Sequence, residues 1–571
     1  MSTVQKRPRA CDSCRKKKVR CDGPDESGGP CATCAIHSAE CSYNDQLRPP
    51  RPRGYVQHLE TRIANLERHL REQYSSQRDG GDQLLPANGR ALTTSHVPGD
   101  QHSLGPLPAS AYSKPEGMDP LSLLAEETSD SDDEFFFRTE TNLGDPSHEL
   151  NAEHASRFYG KSSLLAFTTR AFDDSGEVPT DTDRAHAYRE EFWVTPDWLT
   201  SMLAPKPVLF EFPDVYLLWH LVDCYFNNIN TIFPILHRPS FVCSIQQRLH
   251  ETSQSFGAVV LLVCAIGCGF TDDPRVLQVI SPDSPCTAWK LFHQANSVQK
   301  RHYLPHSLFE AQIYPLSALF LEGYSPPDKI WVVVSVGLTI MQDVGVHRKS
   351  FSSQKTIETE LWKRSFWTLI VLSRSLSTLL GRPCALQDED FDADLPLIYD
   401  DEDLDGSGLK RPPQQDRPAQ MSSFVWMIKL SQILAFTLRT VYSTKRSKVL
   451  LGYVGKRWEQ RVIATLTSAL ERWLDTVPEH LQWGSEASKR NRVFLIQSVY
   501  LRCQFHEVQF HVHRAFVFRD PPDPELSGPS VIVCKNAAKQ CISIVDSVKD
   551  LLDTSLYCIG LMVKPDAYPL P

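Results

Sequence analysis

Hydrophobic residues follow two regimes along this chain. From about residue 156 onward they recur at three- and four-residue spacings in blocks of helix length, and strand-like alternation is scarce. The blocks at 215–228, 256–269, 307–321, 329–344, 356–380, 422–442, 456–476, 488–518 and 530–552 predict helices. Together they predict a large all-α domain over 156–571, long enough to bury a substantial core. No solenoid repeat is visible. The most apolar runs, 256–270 and 330–340, fall short of the ~20 residues that span a bilayer. They read as buried helices, so no membrane partner is expected. Residues 1–20 are polar and basic and lack the apolar stretch of a signal peptide.

A shorter periodic segment lies at 56–72. Val56, Leu59, Ile63, Leu66 and Leu70 form an a/d seam with Val56, Ile63 and Leu70 at a. It runs for only about two and a half heptads, too few to specify a coiled coil by itself. The alternative is one amphipathic helix docked on its own chain. Before it, 48–55 is a proline-rich basic linker that should be extended. After it, 73–155 is rich in Ser, Gly, Pro, Asp and Glu and reads as a disordered linker. Within that stretch, 119–138 sets Leu121, Leu123, Leu124 and Phe135–Phe137 around an acidic run. This mixture is typical of disordered activation segments, which would engage transcriptional coactivators. The alternative is a plain solvated linker. Ser129 and Ser131 each have an acid three residues on, the pattern of an acidophilic phosphorylation site.

Composition changes the picture in one place. The 571 residues carry a net charge of −9, which excludes a uniformly basic protein. Residues 1–53 nevertheless hold eleven Lys and Arg against six Asp and Glu, so the basic charge is local. Six of the 16 cysteines also fall there, between 11 and 41. The others scatter through the apolar region and read as buried free thiols.

The six read Cys11-x2-Cys14-x6-Cys21-x9-Cys31-x2-Cys34-x6-Cys41, one half written twice. A C-x2-C pair lets two thiolates converge on one tetrahedral ion at about 2.3 Å. Six sulfurs fill two four-ligand sites only if two of them bridge. The repeat makes Cys11 and Cys31 the matching first members of each half. One ion is therefore assigned to Cys11, Cys14, Cys21 and Cys31, and the other to Cys31, Cys34, Cys41 and Cys11. The symmetry leaves His37 no role, and it reads as solvent-facing. A metal-free disulfide knot is the competing reading. Spacing alone admits zinc, cadmium or copper(I).

The halves differ in charge. Arg15, Lys16, Lys17, Lys18 and Arg20 lie between the second and third cysteines of the first half, where the second half carries Ala-Ile-His-Ser-Ala-Glu. Only the first half can face phosphates favourably. A short helix after Cys14 could present its N-terminus to the major groove, with Lys or Arg donating to guanine O6 and N7. A nuclear-import signal alone is the competing reading of these basic residues.

Residues 10–43, ACDSCRKKKVRCDGPDESGGPCATCAIHSAECSY, resemble the fungal zinc binuclear cluster (Zn(II)2Cys6) transcription factors. The resemblance implies zinc, two ions per chain, with Cys11 and Cys31 bridging. It implies that Lys17 and Lys18 touch the bases of a CGG-like triplet, while Arg15, Lys16 and Arg20 contact phosphate. It implies that the 56–72 helix dimerises two copies on double-stranded DNA bearing GC-rich triplets. The loop 22–30 is longer than in the commonest members. Residues 225–241, 343–348, 366–396 and 508–516 resemble the regulatory "middle homology" domain of the same family. Where many members carry an aspartate-arginine pair before a GRP turn, this chain has Ser373-Arg374, which leaves open whether a buried ion pair forms there.

No enzyme signature stands out. HEVQFH at 506–511 places its histidines five apart, off a common helix face, unlike a zinc-protease motif. The run 388–405, with ten acids in 18 residues, reads as a solvated loop. The chain ends soon after a helical block where many relatives run on, so a shortened or differently spliced end is expected.

The fold expected is thus a small Zn2Cys6 binuclear cluster module over 1–47, a linker over 48–55, a short coiled coil over 56–72, a disordered linker over 73–155 and a large all-α regulatory domain over 156–571. The function expected is a nuclear, homodimeric, sequence-specific regulator of RNA polymerase II transcription, not an enzyme. The alternative is a zinc-containing interaction scaffold that reads no DNA sequence.

Overall fold

The computed structural model describes residues 11, 13–14, 21, 23, 29–37, 40–42, 158–160, 162–164, 209–277, 286–298, 306–353, 356–405, 408–409, 418–453, 457–518 and 524–552. The chain divides into two compact units, Met1–Ala111 and Tyr112–Pro571. In the first, the short helix α1 (Ala32–Ile36) lies within the second half of the cysteine repeat. The segments 56–72 and 119–138 lie outside the described residues.

The second unit is helical. Its principal helices are α2 (Val215–Asn228), α3 (Arg238–Gln246), α4 (Gln254–Gly267), α5 (Thr287–Asn296), α6 (Leu308–Tyr324) and α7 (Pro327–Val344). They continue as α8 (Ile357–Leu380), α9 (Met421–Thr440), α10 (Trp458–Thr476), α11 (Arg492–Arg514) and α12 (Pro524–Leu552). Among the described residues, strand pairing is confined to a two-residue hairpin, Leu404 opposite Leu409.

Start and stop chemistry marks these helices. Asp214 accepts from the amides of Tyr216 and Leu217 at the start of α2. Ser307 and Glu310 form a reciprocal capping box on α6. Gly345 and Gly381 end α7 and α8 with left-handed φ of 90° and 65°, where a side chain would be strained. The block expected at 488–518 is split, because Asn491 leaves helical geometry and its side chain caps α11 at the Val493 amide. Helices α3 and α5 were not expected from periodicity. Pro239 in the first turn of α3 disguises it, and α5 is short.

The core is one continuous cluster running from α2 to α12. Helix α4 lies at its centre, buried at every position from Phe256 to Gly267. Gly267 makes this possible, since a Cβ there would lie 2.3 Å from the Leu221 carbonyl oxygen of α2. Helix α9 alone among the described helices is long and apolar enough to cross a membrane. Most of it is buried against the rest of the unit, as a core helix is.

Helix α8 carries charge into that core. Glu360, Lys363, Arg364 and Arg374 are all buried on it. Their partners come largely from the acidic run, which corrects the expectation of a solvated loop. Arg364 Nη1 donates to Asp401 Oδ1 at 2.8 Å, and Arg374 donates to Asp388 and to Ser431 Oγ. Asp392 pairs with Arg348, and Glu389 pairs with Arg439. Phe391 stacks edge-on against Phe366 and Trp367, each at 5.5 Å, and the Trp367 indole donates to the Asp394 carbonyl. The run is therefore an irregular strap along α8. Burying a guanidinium without a counter-charge is costly, and the strap supplies the carboxylates. Arg374 acquires its buried counter-charge in the same way. The carboxylate is not its chain neighbour but Asp388, fourteen residues on.

Candidate metal centre

The cysteine repeat folds each half onto the other. Cys31 caps α1, its sulfur accepting from the Cys34 amide at 3.4 Å. The first half repeats this contact, with the Cys14 amide donating to Cys11 Sγ at 3.4 Å. The pairing of first and third cysteines is repeated as well. The Cys11 amide donates to Cys21 Sγ, and the Cys31 amide to Cys41 Sγ, both at 3.4 Å. Equal contacts at equal spacings give the two halves the same local geometry around their sulfurs.

Two groups of four sulfurs result, Cys11, Cys14, Cys21, Cys31 and Cys11, Cys31, Cys34, Cys41. Within each, all sulfurs lie within 4.8 Å of one another. Cys11 Sγ is 3.7 Å from Cys31 Sγ and 3.5 Å from Cys34 Sγ, and Cys14 Sγ is 3.7 Å from Cys31 Sγ. A tetrahedral zinc with 2.3 Å bonds holds its sulfurs about 3.8 Å apart. The donor set therefore fits, and Cys11 and Cys31 belong to both groups. These are the residues that hold two zinc ions. His37 is exposed at the end of α1 and belongs to neither group.

The local electrostatics favour thiolates at some positions and resist them at others. The Cys14 amide holds the Cys11 thiol down at about 6. The Cys11 amide, with that of Gly23 at a left-handed φ of 89°, lowers Cys21. Burial and neighbouring thiols push Cys14 up to about 12. Six crowded sulfurs cannot all ionise without cations among them, which is the electrostatic demand that divalent metal meets.

Ser13 and Cys14 are helical, as are their counterparts Thr33 and Cys34 in the second half. Arg15, Lys16, Lys17, Lys18 and Arg20, proposed to contact DNA, lie outside the described residues, as do Val56, Leu59, Ile63, Leu66 and Leu70.

Comparison with known proteins agrees with this geometry. Residues 9–50 match the fungal Zn(2)-Cys(6) binuclear cluster domain, and residues 222–475 match the fungal specific transcription factor domain. The chain is similar to the transcriptional activator protein acu-15 of Neurospora crassa, 24% identical over 96% of this chain and 56% of that protein. It is similar to the cutinase transcription factor 1 alpha of Fusarium vanettenii, at 23% over 98% of this chain and 58% of that protein. It is also similar to the activator of stress genes 1 of Saccharomyces cerevisiae, at 22% over 89% and 55%. The chain thus spans little more than half the length of these relatives. No solved structure matches it.

Proposed function

The chain belongs to the fungal family that joins a Zn(2)-Cys(6) cluster to a fungal specific transcription factor domain, and from that premise we propose that it regulates transcription by reading DNA sequence through its zinc cluster. The family is one of transcription factors, not of enzymes. The observation that carries the reading is the pair of four-sulfur groups sharing Cys11 and Cys31.

The finer assignments rest on charge and position. Lys17 and Lys18 are the base-reading residues for a CGG-like triplet. Arg15, Lys16 and Arg20 hold phosphates and set the orientation without reading sequence. Two copies join through Val56, Leu59, Ile63, Leu66 and Leu70, so that two clusters address two half-sites. The protein acts in the nucleus, where the acidic and apolar segment 119–138 engages coactivators. The helical unit serves as the regulatory domain.

The test uses the full chain, assayed for zinc per chain and then used to select duplexes from a random pool, with and without chelator. Enrichment of CGG-like triplets that chelation abolishes is the expected result. Lys17→Ala and Lys18→Ala should each relax triplet selection by about 1–3 kcal/mol. Arg20→Ala should weaken all duplexes alike and flatten the salt dependence. Two zincs with no sequence enrichment would overturn the reading in favour of an interaction scaffold.

A further inference from the structure

Outside the zinc cluster, one pair of cysteines faces across a helix boundary. Cys503 is the one cysteine of α11, and Cys541 lies on α12, which packs antiparallel against it. The Cys541 sulfur lies 3.7 Å from the Cys503 carbonyl oxygen. That contact sets the Cys541 side chain directly against the Cys503 residue of the facing helix. Cys503 is 1% exposed, whereas Cys541 is half-buried. Cys534, on the same helix, provides a contrast: its sulfur meets the Phe510 carbonyl at 3.8 Å, where α11 has no cysteine opposite.

We propose that Cys503 and Cys541 form an oxidisable dithiol that takes a hydroperoxide as its oxidant and staples α12 to α11. The accessible sulfur reacts first. The Cys541 thiolate attacks a peroxide oxygen; an S–O bond forms, the O–O bond breaks, and the leaving oxygen takes up a proton. Cys541 is then a sulfenic acid. The Cys503 sulfur attacks the Cys541 sulfur; the S–S bond forms, the S–O bond breaks, and the departing hydroxide leaves as water with the Cys503 proton. Two thiols lose two electrons, and hydrogen peroxide becomes two waters.

The order of events follows from the surroundings. Contact with Cys541, together with burial, pushes the Cys503 thiol well up, so it is held protonated and does not react first. The structure thus assigns Cys541 as the peroxide-reactive thiol and Cys503 as the resolving one. A disulfide here would close the chain between 503 and 541 and restrict separation of the last helix from the core.

The experiment treats the zinc-loaded full chain with hydrogen peroxide and maps thiols in a non-reducing digest. The same digest reports the six cluster cysteines separately. A peptide joining Cys503 to Cys541, reversed by dithiothreitol and accompanied by a higher Tm of the helical unit, is the expected result. Cys503→Ser should leave a sulfenic acid trapped at Cys541 by a dimedone-type nucleophile. Cys541→Ser should leave Cys503 unmodified at the same exposure. Either serine variant is first checked for native circular dichroism. If one fails to fold, the crosslink in the unmodified chain decides alone. Oxidation of both sulfurs to higher acids without a crosslink, or a sulfenic acid on Cys503 in the Cys541→Ser chain, would overturn the proposal.

Discussion

Arg364 is fully enclosed on α8, and its charge is met by Asp401 at 2.8 Å, with Glu360 farther away at 3.6 Å. Asp401→Asn keeps the shape and removes the nearer charge. It should cost about 3 kcal/mol in a denaturant titration, since one partner of a buried pair is removed. A buried histidine sets a second expectation. Burial holds His506 down at about 4, below its ordinary 6.5, and lowers His511 and His513 as well. The unfolded chain therefore takes up protons in this window that the folded chain refuses. The stability these residues contribute is present in full above about pH 6.5 and should fall as pH drops towards 4. Denaturation midpoints measured across that range, with His506→Gln removing part of the slope, check the sign. At this scale the sequence is legible where the chemistry is local. Cys11 to Cys41 announce their ligand groups because a C-x2-C spacing constrains geometry within a few residues. The pairing of Arg374 with Asp388 is not legible in this way. It depends on how the strap returns along α8, and a count of acids cannot distinguish a solvated loop from a set of counter-ions.

Helices are legible where their ends carry a signal. The periodic block at 215–228 coincides with α2, bounded by the Asp214 cap, and the block at 356–380 begins at the Thr356 cap and stops at Gly381. The break at Asn491 was hidden because apolar periodicity continues on both sides of it, and only the side-chain cap shows the interruption. Packing between elements has its own weak points. Gly267→Ala would drive a Cβ into the Leu221 carbonyl, a backbone atom that cannot move away as a side chain tip can. Separation of α2 from α4 should cost about 1–3 kcal/mol, read as a lower Tm. Ser307→Ala removes one partner of the α6 capping box and should cost about 1 kcal/mol. The two variants differ in size of effect because one disturbs a core interface and the other a helix end.

The whole molecule joins two units of different physical origin. The helical unit buries a core of its own, whereas among the described residues of the cluster module the interior is made of its cysteines. Chelation should therefore unfold the cluster module and spare the helical unit. Circular dichroism of the full chain should keep nearly all its helical signal with chelator, and heating should then show the helical transition unchanged. Loss of both signals together would mean that the units depend on each other.

The sharing of Cys11 and Cys31 has a consequence for how the module fills. Losing any of Cys14, Cys21, Cys34 or Cys41 leaves one complete quartet, whereas losing Cys11 or Cys31 breaks both. Serine replacement should sort the six positions into two classes by retained metal alone, without any DNA present. In the unmodified chain, the first ion gathers two of the four sulfurs that the second requires. Occupancy should then rise in one concerted step, with chains holding a single ion scarce at every intermediate zinc concentration, as native mass spectrometry would show.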